Sequence, residues 1–130
     1  MSCEIQFIGI VEKVLGDESV IRIYHQYVEG LEKINEYPRL WVLYWFHERD
    51  NAQHRNTLRV IPHRHGCTEY RGVFASHSPS RPNPIGLTAV DLIKKDENCL
   101  IVRGLDAFKD SPIIDLKPLT FNPKLVNLCS

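Results

Sequence analysis

From Ser76 to Pro84 the chain reads Ser-His-Ser-Pro-Ser-Arg-Pro-Asn-Pro, which sets an imidazole, a guanidinium, a carboxamide and three hydroxyls among three prolines. Proline fixes its own φ and pushes the residue before it towards extended backbone, so helix is excluded and a stiff, shaped loop is expected. Such a loop can hold a reacting group in one orientation. His77 can take or give a proton near neutral pH, and Arg81 and Asn83 can hold an anionic or planar partner. A proline-rich surface turn without chemistry is the alternative that residue types alone leave standing. A second cluster, His63-Arg64-His65-Gly66-Cys67, offers two imidazoles and a thiol at close spacing. Structural zinc usually needs a further pair of ligands, and the remaining cysteines, Cys3, Cys99 and Cys129, each stand alone, so no metal is expected.

The proline loop needs something to carry it. A short apolar run, Gly72 to Ala75, leads into it, and Ile85 to Ile93 follows as an anchoring strand expected to be buried. Further back, 4–13 and 19–27 alternate apolar and polar residues around a Gly16-Asp17 turn and read as a hairpin. Val28, Leu31 and Ile34 have helical spacing, which predicts one short helix or helical turn over 27–37, ended by Pro38. Residues 39–46 (RLWVLYWF) are the most apolar run and read as a central strand covered on both faces, closed by the charged His47-Glu48-Arg49-Asp50. Strands are also expected at 57–61, 99–103 and 112–116, with a four- to five-residue loop near 94–98 and a closing segment from Pro118 to Pro123. The sum is a mainly all-β single domain over 1–130, a small closed or partly open β-barrel of six to seven strands.

Composition narrows the partners. Lysine plus arginine equal aspartate plus glutamate at 16 each, so a polyanion can be held only if charge is segregated or pooled between subunits. Some segregation is visible: 47–81 carries six arginines and five of the six histidines against Glu48, Asp50 and Glu69. Lone cysteines, no signal-like N-terminal run and no apolar stretch of bilayer length lead to the expectation of a cytoplasmic protein with no membrane partner.

Beyond single residue types, the stretch Arg71 to Leu87 (RGVFASHSPSRPNPIGL) resembles the signature of the TrmO (TsaA-like) family, which runs approximately GVFATRSPxRPNPIGL. Gly104-Leu105-Asp106 and Ser111 to Pro118 are similar to that family's GLDxxDGTPVxDIKP, while Tyr27 to Leu31 and Leu43 to His47 are similar to its YxEGL and LxxFH elements. The resemblance implies a β-barrel methyltransferase that uses S-adenosyl-L-methionine, works as a homodimer and acts on tRNA. Its implied target is N6 of threonylcarbamoyladenosine next to the anticodon.

Carried over position by position, the resemblance assigns the cofactor to His47, Glu48, His77, Leu87, Asp106, Phe108, Lys109 and Asp110, and the RNA to Arg71, Arg81 and Asn83. Methyl transfer from a sulfonium is an in-line displacement that asks mainly for alignment at about 3–3.5 Å. The acceptor nitrogen must also lose a proton, for which His77, Asp106 and Asp115 are the candidates and His77 and Asp106 the expected catalytic groups. Asp115 reads as a loop brace, and Tyr70 or Phe108 as an aromatic that stacks on a splayed-out base unless the core claims it. Three positions depart from the family: His77 stands where it has arginine, Lys109-Asp110 where it has Asp-Gly, and only Leu15 to Ser19 where it has a longer loop with a PRQ-like triplet. These departures frame the alternative of a non-catalytic RNA- or nucleotide-binding barrel that has lost the methyl-donor pocket.

Overall fold

The computed structural model describes residues 1–120, and of His65 the backbone only. It divides the chain into two compact units, one made of Met1–Tyr44 with the chain from Leu87 onward, the other of Trp45–Gly86.

Six strands close the first unit into a ring: β1 (Gly9–Leu15), β2 (Glu18–Ile23), β3 (Arg39–Trp45), β6 (Ile85–Asp96), β7 (Cys99–Arg103) and β8 (Pro112–Pro118), in the spatial order β1-β2-β7-β6-β3-β8. The pairings β1–β2, β2–β7, β6–β7, β3–β8 and β1–β8 are all antiparallel. Closure leaves no open sheet edge, and three register shifts, at Val11/Lys13, Leu43/Tyr44 and Leu92/Lys94, supply local bends that a closed sheet of short strands requires. The core is the inward side of the strands: Val11, Ile21, Ile23, Leu40, Val42, Val90, Leu100, Val102 and Ile113 are sealed from solvent. Gly9 is required where it stands, because a Cβ there would lie 2.4 Å from the Arg22 carbonyl oxygen.

Several expected elements are corrected. The first strand begins at Gly9, not residue 4, and the second ends at Ile23. The short helix or helical turn expected over 27–37 takes the form of two 3-10 segments, His25–Leu31 and Ile34–Glu36, parted by Lys33 in the left-handed region at φ 68°. β3 is covered on one side only: Leu40, Val42 and Tyr44 point inward while Trp41 is exposed, as an antiparallel barrel strand should alternate. β6 likewise buries only Gly86 and Val90 fully, and it runs on to Asp96, so the expected four- to five-residue loop is a two-residue turn with Glu97 at φ 56°. β8 extends to Pro118, and the part of the closing segment beyond residue 120 lies outside the described residues.

The second unit is the excursion of the chain between β3 and β6. It holds a one-turn helix α1 (Ala52–Arg55), a two-stranded ribbon of β4 (Arg59–Val60) and β5 (Arg71–Gly72), and 3-10 turns at His47–Arg49, His63–His65 and Val73–Ala75. The strand expected over 57–61 survives only as β4.

Candidate functional site

In the barrel unit the chemistry gathers around the end of β3. Tyr44 is almost wholly buried, and a buried phenol needs partners for its oxygen. Its hydroxyl donates to the main-chain oxygen of Asp106 at 2.7 Å and lies 3.0 Å from Thr88 Oγ1. A phenol has one proton, so the Thr88 hydroxyl is the donor in the second bond. The register shift at Leu43/Tyr44 sets this side chain relative to β8. Burial raises the Tyr44 pKa above the usual phenol value, the Thr88 bond opposes the shift, and the negative charge of Asp106 adds to it. The phenol is therefore held as a neutral donor, fixing the Gly104-Leu105-Asp106 segment and leaving the Asp106 carboxylate exposed to solvent.

The following segment is fastened to β1. Asp110 N–H donates to Val11 O at 2.8 Å, Val11 N–H to Ser111 O at 3.0 Å and Ser111 N–H to Phe108 O at 3.1 Å. Phe108 and Lys109 face solvent, as does Leu87 on β6. Asp110 adopts φ 72°, a left-handed conformation natural for the glycine the family carries here. Asp115, read from the sequence as a loop brace, lies instead within strand β8 opposite Leu43, and its carboxylate accepts the N–H of its neighbour Leu116 at 2.8 Å.

In the 45–86 unit the proline loop is laced by its own side chains. Arg81 NH1 donates to the carbonyls of Ser76 and Ser78 at 3.0 and 3.1 Å. Ser76 Oγ accepts from Ser78 N–H, and Ser78 Oγ from Ser80 N–H. Ser80 Oγ lies 2.7 Å from His54 Nδ1, and Arg49 NH1 lies 3.2 Å from His54 Nε2. Because a guanidinium only donates, Nε2 accepts and Nδ1 carries the proton given to Ser80. That tautomer makes His54 a brace for the loop and not a base for the Ser80 hydroxyl. Asn51 explains how His54 comes to be there, since its side chain accepts the His54 N–H at 3.0 Å and starts α1. Asp50 takes Arg55 at 2.9 Å and Trp45 Nε1 at 3.3 Å, and the Arg55 bond above all holds its carboxyl below the usual range. His47, Glu48, Arg71, His77 and Asn83 are exposed.

Sequence reasoning missed Tyr44, Thr88, His54 and Arg49 as organising groups. The available signal was a tyrosine at an inward position of an apolar strand. It also assigned no role to the meeting of two motifs: a depression of about 470 Å³ in the barrel unit is lined by Tyr27, Glu29, Gly30 and Leu31 of the first and by Asp115 and Lys117 of the last. The expected short connection between the first two strands is borne out, as β1 and β2 turn directly on Gly16 and Asp17, with Gly16 at φ 64°.

Comparison with known proteins adds to this geometry. The family described as tRNA-methyltransferase O N-terminal domain matches residues 11–122. The chain belongs to that family. An S-adenosyl-L-methionine-binding protein of Archaeoglobus fulgidus is 50% identical over 99 residues, covering 76% of this chain and 67% of that protein. The tRNA (adenine(37)-N6)-methyltransferase of Escherichia coli, also similar, is 34% identical over 114 residues, covering 85% of this chain and 47% of that enzyme. The crystal structure of TrmO from Pseudomonas aeruginosa shares the fold at a TM-score of 0.70 and 22% identity, over 92% of this chain and 57% of that one. A further TrmO crystal structure gives 0.71 at 24% identity, over 92% and 58%. The chain thus spans a little over half of the solved structures it matches. Among its described residues, no helix is long and apolar enough to cross a membrane.

Proposed function

We propose that this chain binds S-adenosyl-L-methionine and methylates N6 of threonylcarbamoyladenosine next to the anticodon of tRNA. Membership of the family across residues 11–122 carries the reading. The cofactor supplies an electrophilic methyl group on a sulfonium. The exposed apolar surface of Leu87 and Phe108 and the carboxylates of Asp106 and Asp110 suit such an amphipathic cation. His47, Glu48 and His77 are the groups of the 45–86 unit assigned to it, and Lys109 adds a positive charge that Asp110 offsets.

For the chemistry, Asp106 is the better placed base, because Tyr44 fixes its main chain while its carboxylate remains accessible. His77 is the second candidate. Arg71, Arg81 and Asn83 serve the RNA, with Arg81 also stiffening the loop that presents Asn83. The chain acts as a homodimer, which pools two arginine-rich segments against one stem-loop.

Calorimetric titration with S-adenosyl-L-methionine, followed by mass analysis of anticodon-loop nucleosides after incubation, tests the reading. Binding with a gain of one methyl group on the modified adenosine is the expected result, and light scattering should give twice the chain mass. The two-residue β1–β2 turn, which leaves no room for the PRQ-like loop, favours one second reading: an RNA- or nucleotide-binding barrel without a donor pocket. Absence of cofactor binding with retained RNA binding would select it.

A further inference from the structure

We propose that the β4–β5 ribbon is a stacking platform for unpaired RNA nucleotides, built from Arg59, Tyr70 and Phe74. The proposal rests on the RNA-methyltransferase reading for its partner, and on this ribbon for its residues. Arg59 pairs with Gly72 and Val60 with Arg71, so by alternation Tyr70, just before β5, shares the face of Arg59 and sits diagonally from it, while Arg71 falls on the other face. Gly72, opposite Arg59, puts no side chain in the way, and the guanidinium lies 4.7 Å from the centre of the Tyr70 ring. Among the described residues that ring is the partner of Arg59, and no carboxylate pairs with it.

Both rings are held out from the molecule. Tyr70 is 60% exposed and Phe74 80% exposed, although Val73 beside Phe74 is 1% exposed. Phe74 is therefore presented by an anchored turn: Val73 N–H donates to Leu58 O at 2.9 Å, and Ser76 N–H to Val73 O at 3.2 Å. The surrounding unit supplies cations of one type, six arginines and no lysine, against three carboxylates, of which Asp50 is engaged by Arg55. Arginine both stacks on flat rings and grips phosphate through its fork. A flat ring beside a guanidinium that can grip phosphate suits a single-stranded nucleic acid whose bases are free to turn outward, and duplex RNA hides those faces.

The test is fluorescence anisotropy with a labelled RNA hairpin carrying a seven-nucleotide loop, against a blunt duplex of the same length, using the full chain. Wild type should prefer the hairpin. Tyr70→Leu and Phe74→Ser should each weaken hairpin binding about tenfold or more, with Tyr70→Phe within about twofold of wild type and duplex binding unchanged. Arg59→Gln should lower the slope of log affinity against log salt by about one, and it carries the test should Tyr70→Leu fail to fold. Equal hairpin and duplex affinity in wild type, or unchanged hairpin affinity in the variants, overturns the proposal. So does a Phe74→Ser protein that loses self-association but keeps hairpin binding, which would make the ribbon an interface between copies. Cofactor titration of the same proteins separates the two readings: lost cofactor binding with Tyr70-dependent hairpin binding sinks the methyltransferase and leaves the platform.

Discussion

Of the twelve apolar side chains other than proline buried among the described residues, eleven belong to the barrel unit and only Val73 to residues 45–86. The barrel is ordered by burial and by strand ladders, the 45–86 unit by Arg81, Ser76, Ser78, His54 and Asp50 bonding to neighbours within it. Charge divides the same way. Residues 45–86 carry six basic against three acidic groups, a formal +3, and the remainder ten against thirteen, a formal −3, so overall neutrality hides two opposite balances. A closed barrel with a saturated interior can carry a segment rich in polar, proline and aromatic residues, because that segment is not asked to supply the core. It is then free to vary its surface chemistry.

The sharpest way to break this contrast is truncation in each unit. Ile21→Ala, at a position with no solvent exposure, is expected to cost about 2–5 kcal/mol in urea unfolding. Leu58→Ala in the 45–86 unit, at 58% exposure, should stay within about 0.5 kcal/mol. Similar costs at both positions would mean that the second unit has a core of its own weight.

A second comparison separates stability from function. Arg81→Ala removes the donor that ties Ser76 O to Ser78 O, so the loop loses its shape while the barrel keeps its ladders. Methyl transfer should fall about 10²-fold, as expected when a positioning loop shifts by about 1 Å, with the melting temperature nearly unchanged. A large drop in melting temperature with turnover intact would reverse the division of labour drawn above.

Tyr44→Phe sharpens the barrel side. It leaves the Asp106 carbonyl and the Thr88 hydroxyl without the phenol, for a loss of about 1–2 kcal/mol. The pH dependence carries a sign. Burial raises the phenol pKa in the folded state, so the folded protein keeps its proton where the unfolded chain has lost it. This stability is fully present below the unfolded value of about 10 and is lost as pH rises through the folded value. Urea midpoints from pH 8 to 11 should therefore fall more steeply for wild type than for Tyr44→Phe, and parallel curves would remove the argument.

Much of the barrel could be read from the sequence, because β2 alternates, β7 is a short run rich in branched residues, and Gly16-Asp17 marks the turn from β1 into β2. Lys94, Lys95 and Asp96 misled, since their polarity looks like a loop although an exposed strand end tolerates it. The helical turn over 27–37 was legible, but its break into two 3-10 segments was not, because Lys33 takes a left-handed conformation, which nothing in a lysine announces. At the site, the stiffness of the proline loop was legible and its lacing was not. Tyr44 meets Thr88 and Asp106 across 44 and 62 residues of chain, and His54 meets Ser80 across 26, so each pairing exists only once its own unit has folded.

The smallest effect tests the one place where the barrel unit carries local backbone strain within an assigned cofactor segment. Asp110 sits at φ 72°, where an L side chain crowds the following carbonyl at a cost of about 1–2 kcal/mol and glycine does not. Glycine also frees the unfolded chain, which offsets part of that gain. Asp110→Gly should therefore stabilise by about 0.5–1 kcal/mol, read as a higher urea midpoint at unchanged slope. If it instead destabilises, the aspartate is contributing something that outweighs its backbone. Its position directly after Lys109 points to charge compensation, so Lys109→Gln should then bring the two backgrounds back to the order expected from backbone geometry alone.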